Sequence, residues 1–161
     1  MKPLPVFKLT ETELRPGTSL IEASAGTGKT FTIAGLFLRL ILEKNLSVRE
    51  ILVVTYTVAA TEELRHRIRQ TLANAARAFA AQASEDPFLS ALLRKHAGRE
   101  EDLVARLRRA LDGFDEAPIY TIHGFCQRVL QDRAFETGSL FDTELVTDQM
   151  PLLRQAVEDY W

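Results

Sequence analysis

The segment that most constrains this chain is Ala23-Ser-Ala-Gly-Thr-Gly-Lys-Thr30. It is set between a short apolar run, Ser19-Leu-Ile-Glu-Ala23, and a stretch in which Ile33, Leu36, Phe37, Leu40 and Ile41 recur at helical spacing. The apolar run predicts a buried strand, the recurring positions predict a helix beginning near Lys29, and Asn45 is expected to stop that helix. Glycines at 26 and 28 leave the backbone without a Cβ, so N–H groups can turn inward and cradle phosphate oxygens at the positive end of the helix. Lys29 is placed to reach β and γ phosphates, and the Thr30 hydroxyl to bind Mg²⁺. The pattern is that of a phosphate loop, with Ala23 standing where the first glycine is usual. The rival reading is a glycine turn with a chance Lys-Thr pair, and the flanking strand and helix candidates weigh against it.

The rest of the chain continues the alternation. Ile51-Leu-Val-Val-Thr55 is a largely apolar, mostly β-branched run, the pattern of a parallel strand covered on both faces. Ala60, Leu64, Ile68, Leu72, Ala75, Ala76 and Phe79 then mark a second helix, with Arg65, Arg67 and Arg69 largely off its stripe. Residues 82–112, punctuated by Pro87 and Gly98, predict two further helices without a motif. Pro118 precedes a short strand candidate, Ile119-Tyr-Thr121, and Ile122, Phe125, Cys126, Val129 and Leu130 mark another helix. Residues 147–161 also predict a helix. Strand, phosphate turn, helix, strand, helix is the grammar of an α/β fold, a parallel sheet flanked by helices.

With 161 residues, 46% of them hydrophobic and 26% charged, the chain can form one domain with a core. Its net charge of −2 excludes a globally basic nucleic-acid binder, so any DNA contact must be local. Cys126 is the one cysteine; it excludes an internal disulfide and reads as a small buried hydrophobe on its helix stripe. No Cys/His metal spacing is present. The best apolar segment, Ile33–Leu42, is short and interrupted by Arg39, and Met1–Pro5 lacks a targeting pattern, so a cytoplasmic location without membrane contact is expected.

Three ordered segments carry a resemblance. Ile21-Glu-Ala-Ser-Ala-Gly-Thr-Gly-Lys-Thr-Phe-Thr-Ile33 resembles the first ATPase motif of superfamily 1 helicases of the UvrD type, in which alanine at the first position is usual. Val53-Val-Thr-Tyr-Thr-Val-Ala-Ala-Thr-Glu-Glu-Leu-Arg65 resembles that family's motif Ia, and Tyr120-Thr-Ile-His-Gly-Phe-Cys-Gln-Arg128 its motif Ib. With the family-like Arg133-Ala-Phe-Glu-Thr-Gly138, the likeness runs over residues 18 to 141, and the Glu-Ala-Ser-Ala wording is most similar to the exodeoxyribonuclease V type of helicase-nuclease.

The resemblance implies a RecA-like domain using ATP and Mg²⁺, with Ala23, Ser24, Ala25, Gly26, Thr27, Gly28, Lys29 and Thr30 around the nucleotide. Lys29 and Thr30 would serve catalysis, and Thr30 would hold the metal. It implies single-stranded DNA contacts from Tyr56, Thr57, His123 and Phe125, where aromatic faces suit a motor that does not read sequence. It also implies unwinding and degradation of duplex DNA ends in recombinational repair, by a subunit working with two partners in a heterotrimeric complex. From the residues alone, Tyr56 reads rather as a half-buried aromatic at a strand end, His123 as a helix-start residue satisfied by backbone, and Phe125 as a member of its apolar stripe. Arg65 and Arg69 fit either phosphate contacts or a solvated face. Val58 replaces a residue that is polar in many relatives, and the adenine-reading glutamine motif is absent near residues 1–18, which leaves base selectivity open.

A motor of this class also needs a Walker B acidic pair and arginines from a second RecA-like domain. Asp115-Glu116 and Glu158-Asp159 are adjacent acids, but neither closes an apolar strand. The chain is therefore expected to be the N-terminal portion of a longer protein and inactive alone. Residues 1–135 would belong to the first RecA-like domain, with a helical insertion at 82–115, and 136–161 would open a helical subdomain. Rival readings are an AddA-type or nuclease-free UvrD-type helicase, a stand-alone P-loop kinase or switch, and a non-catalytic binding module. The kinase or switch lacks support from any Asn-Lys-x-Asp motif or lid-like arginine cluster, and intact Lys29 and Thr30 argue against a relic loop.

Overall fold

α1 (Lys29–Lys44) starts behind Gly28 and stops at Asn45, whose left-handed backbone (φ 57°) lets its N–H bond back to the Leu40 carbonyl. In this computed structural model, which describes residues 6–24, 26–133 and 149–160, the helix buries Ala34, Phe37, Leu38, Ile41 and Leu42. That face is rotated from the predicted stripe: Leu36 and Leu40 are half-buried and Ile33 is exposed. The cause is packing, because α1 lies against two helices, α2 (Val58–Ala81) and α4 (Glu100–Asp112), so its contact face is broad.

α2 is capped by Thr57, whose side chain accepts a hydrogen bond from the Ala60 N–H at 3.1 Å. It buries Thr61, Leu64, Ile68, Leu72, Ala75, Ala78 and Phe79, while Ala60 is exposed and Ala76 only half-buried. The predicted pair of helices is present. α3 (Pro87–Lys95) begins with Asp86 accepting from the Phe88 and Leu89 N–H groups and with Pro87 in the first turn, and α4 opens with Glu100, Glu101 and Asp102 at its positive end. Both feed the same apolar core as α1 and α2, through Phe88, Leu89, Leu92, Leu103, Leu107 and Ala110.

β1 (Val53–Thr55) and β2 (Ile119–Thr121) form a parallel pair in the register Val53↔Ile119, Val54↔Tyr120, Thr55↔Thr121. Val53 and Ile119 face the core, and α2 packs on both strands. Val54, pointing the other way, is 40% exposed, so the expectation of a strand covered on both faces fails. Helices of this unit cover one side of the pair only. The predicted strand at Ser19–Ala23 is also absent. These residues pair with neither β1 nor β2, and Leu20 is 84% exposed. Without a neighbouring strand, an extended segment has no ladder to join and no face to bury.

The chain divides into two compact units, residues 1–121 and 122–161. The second holds α5 (Ile122–Asp132) and α6 (Met150–Tyr160). α5 appears where its periodicity predicts, yet it buries none of its residues: Ile122, Val129 and Leu130 are exposed. Cys126 is exposed too, which corrects its reading as a buried hydrophobe. Among the described residues of this unit, none shields that stripe from water. The helix predicted over 147–161 is described from Met150 to Tyr160, and residues 134–138 of the family-like segment lie outside the described residues. Among the described residues no helix is long and apolar enough to cross a membrane, and no cluster of three His, Cys, Asp or Glu side chains could hold a metal.

Candidate nucleotide site and strand-contact residues

The phosphate loop is shaped by its two glycines. Gly26 has φ 77° and Gly28 φ 82°, a left-handed backbone that side chains disfavour. A Cβ at Gly26 would meet nothing within 4 Å, so conformation rather than crowding demands glycine there. The Thr27 hydroxyl donates to the Ser24 carbonyl at 2.7 Å, and the Lys29 ammonium donates to the same carbonyl at 2.7 Å and to that of Ala23 at 3.4 Å. Lys29 therefore folds back across the loop that precedes it. Gly28 caps α1 without a side-chain hydrogen bond, and the first turn carries no acid, so the positive end of a 16-residue helix is not offset by a carboxylate.

Of the eight loop residues, Ala23, Ser24, Gly26, Thr27, Gly28 and Lys29 are exposed and Thr30 is half-buried in the first turn of α1; Ala25 lies outside the described residues. An exposed loop with two left-handed glycines, a lysine over it and a threonine just inside the helix fits a nucleotide's phosphates and their Mg²⁺. A concavity of about 230 Å³ beside Asn45 and Arg106 lies at the opposite end of α1 and has no part in this arrangement.

Tyr56 and Thr57 occupy the turn from β1 to α2. Tyr56 is 85% exposed, which rules out the half-buried aromatic considered from sequence. The turn beneath it is pinned by hydroxyls that sequence reasoning passed over. Those of Thr55 and Thr61 lie 2.7 Å apart, and both reach the Thr57 carbonyl, at 3.1 and 3.0 Å. Thr61 is buried on the helix face that carries Leu64 and Ile68, and its spacing of four from Thr57 was the available signal. His123 is exposed in the first turn of α5 and Phe125 is half-buried; both belong to the second unit.

Arg65 and Arg69 do not stand on a freely solvated face. Arg65 donates to the Ile119 carbonyl at 3.1 Å, while Arg69 pairs with Asp115 at 3.1 Å and lies 5.6 Å over the Phe114 ring. The adjacent acids Asp115 and Glu116 are engaged in turn, the second with Arg49, whose hydrogen bond holds the Glu116 carboxyl below its ordinary range.

Behind the loop, on α1, Arg39 is wholly buried. Its guanidinium donates to both Glu43 oxygens, at 2.7 and 2.9 Å, and to the Leu9 carbonyl at 2.8 Å. Lys95 adds a bond to Glu43 at 2.9 Å. Burial alone would raise the Glu43 carboxyl, but the hydrogen bonds and charges of Arg39 and Lys95 outweigh it and the net shift is downward. Buried His96, 3.9 Å from Glu43, is held below the ordinary histidine range by desolvation, which the Glu43 charge only partly opposes.

Residues 8–160 match the UvrD/REP helicase N-terminal domain. This chain belongs to the UvrD/REP helicase family. Among curated relatives it is 45% identical over 153 residues to "RecBCD enzyme subunit RecB" of Escherichia coli K12, covering 90% of this chain and 13% of that protein. It is 44% identical over 158 residues to the protein of that name in Haemophilus influenzae, covering 89% and 13%. For the Mycobacterium tuberculosis H37Rv protein of that name the figures are 37% over 143 residues, 88% and 13%. The chain thus spans about 13% of the length of these relatives. The family's helicase domain is a nucleotide-driven one, in keeping with the phosphate loop at 23–30.

Proposed function

We propose that this chain is the ATP-binding front of the first motor domain of an ATP-dependent DNA helicase, the helicase-nuclease subunit of a RecBCD-type complex. The observation that carries the reading is the loop at 23–30: left-handed Gly26 and Gly28 at the uncompensated positive end of α1, with Lys29 lying over the loop. Lys29 would exchange its bonds to the Ser24 and Ala23 carbonyls for β and γ phosphate oxygens, and Thr30 would place its hydroxyl on Mg²⁺. The bound metal would neutralise charge on those phosphates. Ala23, Ser24, Ala25 and Thr27 complete the cradle.

Tyr56, with its ring in solvent, and Thr57 beside it are assigned to single-stranded DNA, with His123 and Phe125 contributing from the second motif. Residues 1–135, including a helical insertion at 82–115, are assigned to the RecA-like domain, and 136–161 to the start of a helical subdomain. The similarity to RecB subunits favours DNA duplex ends as the substrate, RecC-like and RecD-like subunits as partners, and the bacterial cytoplasm as the setting. Among the described residues, the adjacent acids Asp115 and Glu116 are both taken up by arginines, so neither is placed to position water. Steady-state ATP turnover by the purified chain should therefore stay at background with or without single-stranded DNA. A robust turnover abolished in Lys29→Ala would show a complete catalytic centre and contradict this division of labour.

A further inference from the structure

The segment from Phe114 to Ile119, which returns the chain from α4 to the sheet, is gripped by three arginines from earlier in the sequence. Arg49 holds Glu116, Arg69 holds Asp115 and covers Phe114, and Arg65 donates to the main-chain carbonyl of Ile119. The Arg65 contact differs from the others in kind. It is half-buried, it spans 54 residues of sequence, and its acceptor lies within β2 itself. Arg65 stands two turns along α2 from Thr57, the residue that caps this helix beside exposed Tyr56. One rigid helix thus carries the Tyr56–Thr57 corner at its start and a charge-assisted bond to the neighbouring strand farther along.

We infer that Arg65 is a positioning residue for the Tyr56–Thr57 corner: through the Ile119 carbonyl it fixes the first residue of β2 against α2, without touching the DNA strand itself. The parallel register supports this. Thr55, immediately before Tyr56, is opposite Thr121, the last residue of β2, so both strands end at the same level. Three paired residues in each strand hold that level weakly by themselves, and a guanidinium bond from the underlying helix stops the strands sliding. Sequence alone offers two other roles for Arg65, a phosphate contact or a solvated charge, and the contact with Ile119 points away from both. The inference rests on the DNA reading given above.

The test measures binding of a fluorescent oligothymidylate by the chain at several salt concentrations. The proteins compared are the unmodified chain, Arg65→Gln, Tyr56→Ala and, as an exposed control on the same helix, Arg67→Gln. Binding of a fluorescent ATP analogue is measured beside each. Positioning predicts that Arg65→Gln weakens DNA binding roughly threefold or more, with the salt slope and the nucleotide affinity unchanged. Arg67→Gln should leave affinity near that of the unmodified chain. A direct phosphate contact would instead lower the slope of log affinity on log salt by about 0.7, and that result overturns the inference. Unchanged DNA affinity in Arg65→Gln, while Tyr56→Ala binds less, overturns it and leaves the DNA reading standing. If Tyr56→Ala has no effect, the DNA reading fails and the inference falls with it. Loss of nucleotide and DNA binding together in Arg65→Gln would mark a general structural role and also count against it; Arg65→Lys, which keeps charge and stem, then serves as the folded variant for the same comparison.

Discussion

Replacing Arg39 by methionine should be among the most damaging changes available in this chain, although no sequence pattern marks that position as special. The arginine is fully buried and makes three hydrogen bonds, two to Glu43 and one to the Leu9 carbonyl. Methionine fills the space of the aliphatic stem, so little apolar burial is lost. The carbonyl of Leu9 loses its donor, and Glu43 keeps only Lys95. Removing one partner of a buried ion pair costs about 3–5 kcal/mol, and the surviving Lys95 bond places this case at about 3 kcal/mol. That is a large share of the roughly 5–15 kcal/mol by which a domain is stable. Urea unfolding followed by circular dichroism should show a lower midpoint with an unchanged slope. Replacing both members, Arg39→Met with Glu43→Leu, should recover at least about 1 kcal/mol, because no unpaired carboxylate is left buried. A cost below about 1 kcal/mol for Arg39→Met, or a double variant as unstable as the sum of the single ones, would refute the reasoning.

His96 is held below its ordinary value by burial, so the folded state resists its protonation. Its contribution to stability is complete above the ordinary histidine value of 6.5 and is lost as pH falls through the lowered folded value. Glu43, also lowered, keeps its contribution until pH drops below the usual 4.5 and through its own folded value. Thermal unfolding should therefore weaken from pH 7 to pH 5, and His96→Gln should flatten that limb while leaving the more acidic one; an identical pH profile for both proteins would contradict the assignment. Gly28→Ala forces a Cβ into a left-handed backbone at φ 82°, at about 1–2 kcal/mol. Binding of a fluorescent ATP analogue should weaken about tenfold with little change in the unfolding midpoint of the core, and unaltered affinity would show that the loop tolerates another conformation.

The elements legible in the sequence were those whose signals are local. Asn45 ends α1 because it accepts a left-handed backbone, Pro87 sits in the first turn of α3, and Pro118 delimits the run that becomes β2. The phosphate loop was legible for a similar reason: left-handed glycines ahead of a helix leave a local spelling. What could not be read depends on partners distant in sequence. Arg39 looked like an interruption of an apolar stretch, and becomes a core residue only because Glu43 and the Leu9 carbonyl meet it there. Among the described residues, Ser19–Ala23 has the composition of a strand but no strand beside it, while the stripe containing Cys126 has the period of a buried face yet stays largely exposed. Thr61 is polar and yet buried, because the turn carrying Tyr56 needs its hydroxyl.

The central claim is that residues 23–30 form a working nucleotide loop, and it is tested most directly by titrating the chain with a fluorescent ATP analogue and Mg²⁺ beside Lys29→Ala. The account predicts saturable binding by the unmodified chain that is lost in Lys29→Ala, with the unfolding midpoint of the variant unchanged because Lys29 is exposed. Equal binding by both proteins, or binding by neither, would contradict it.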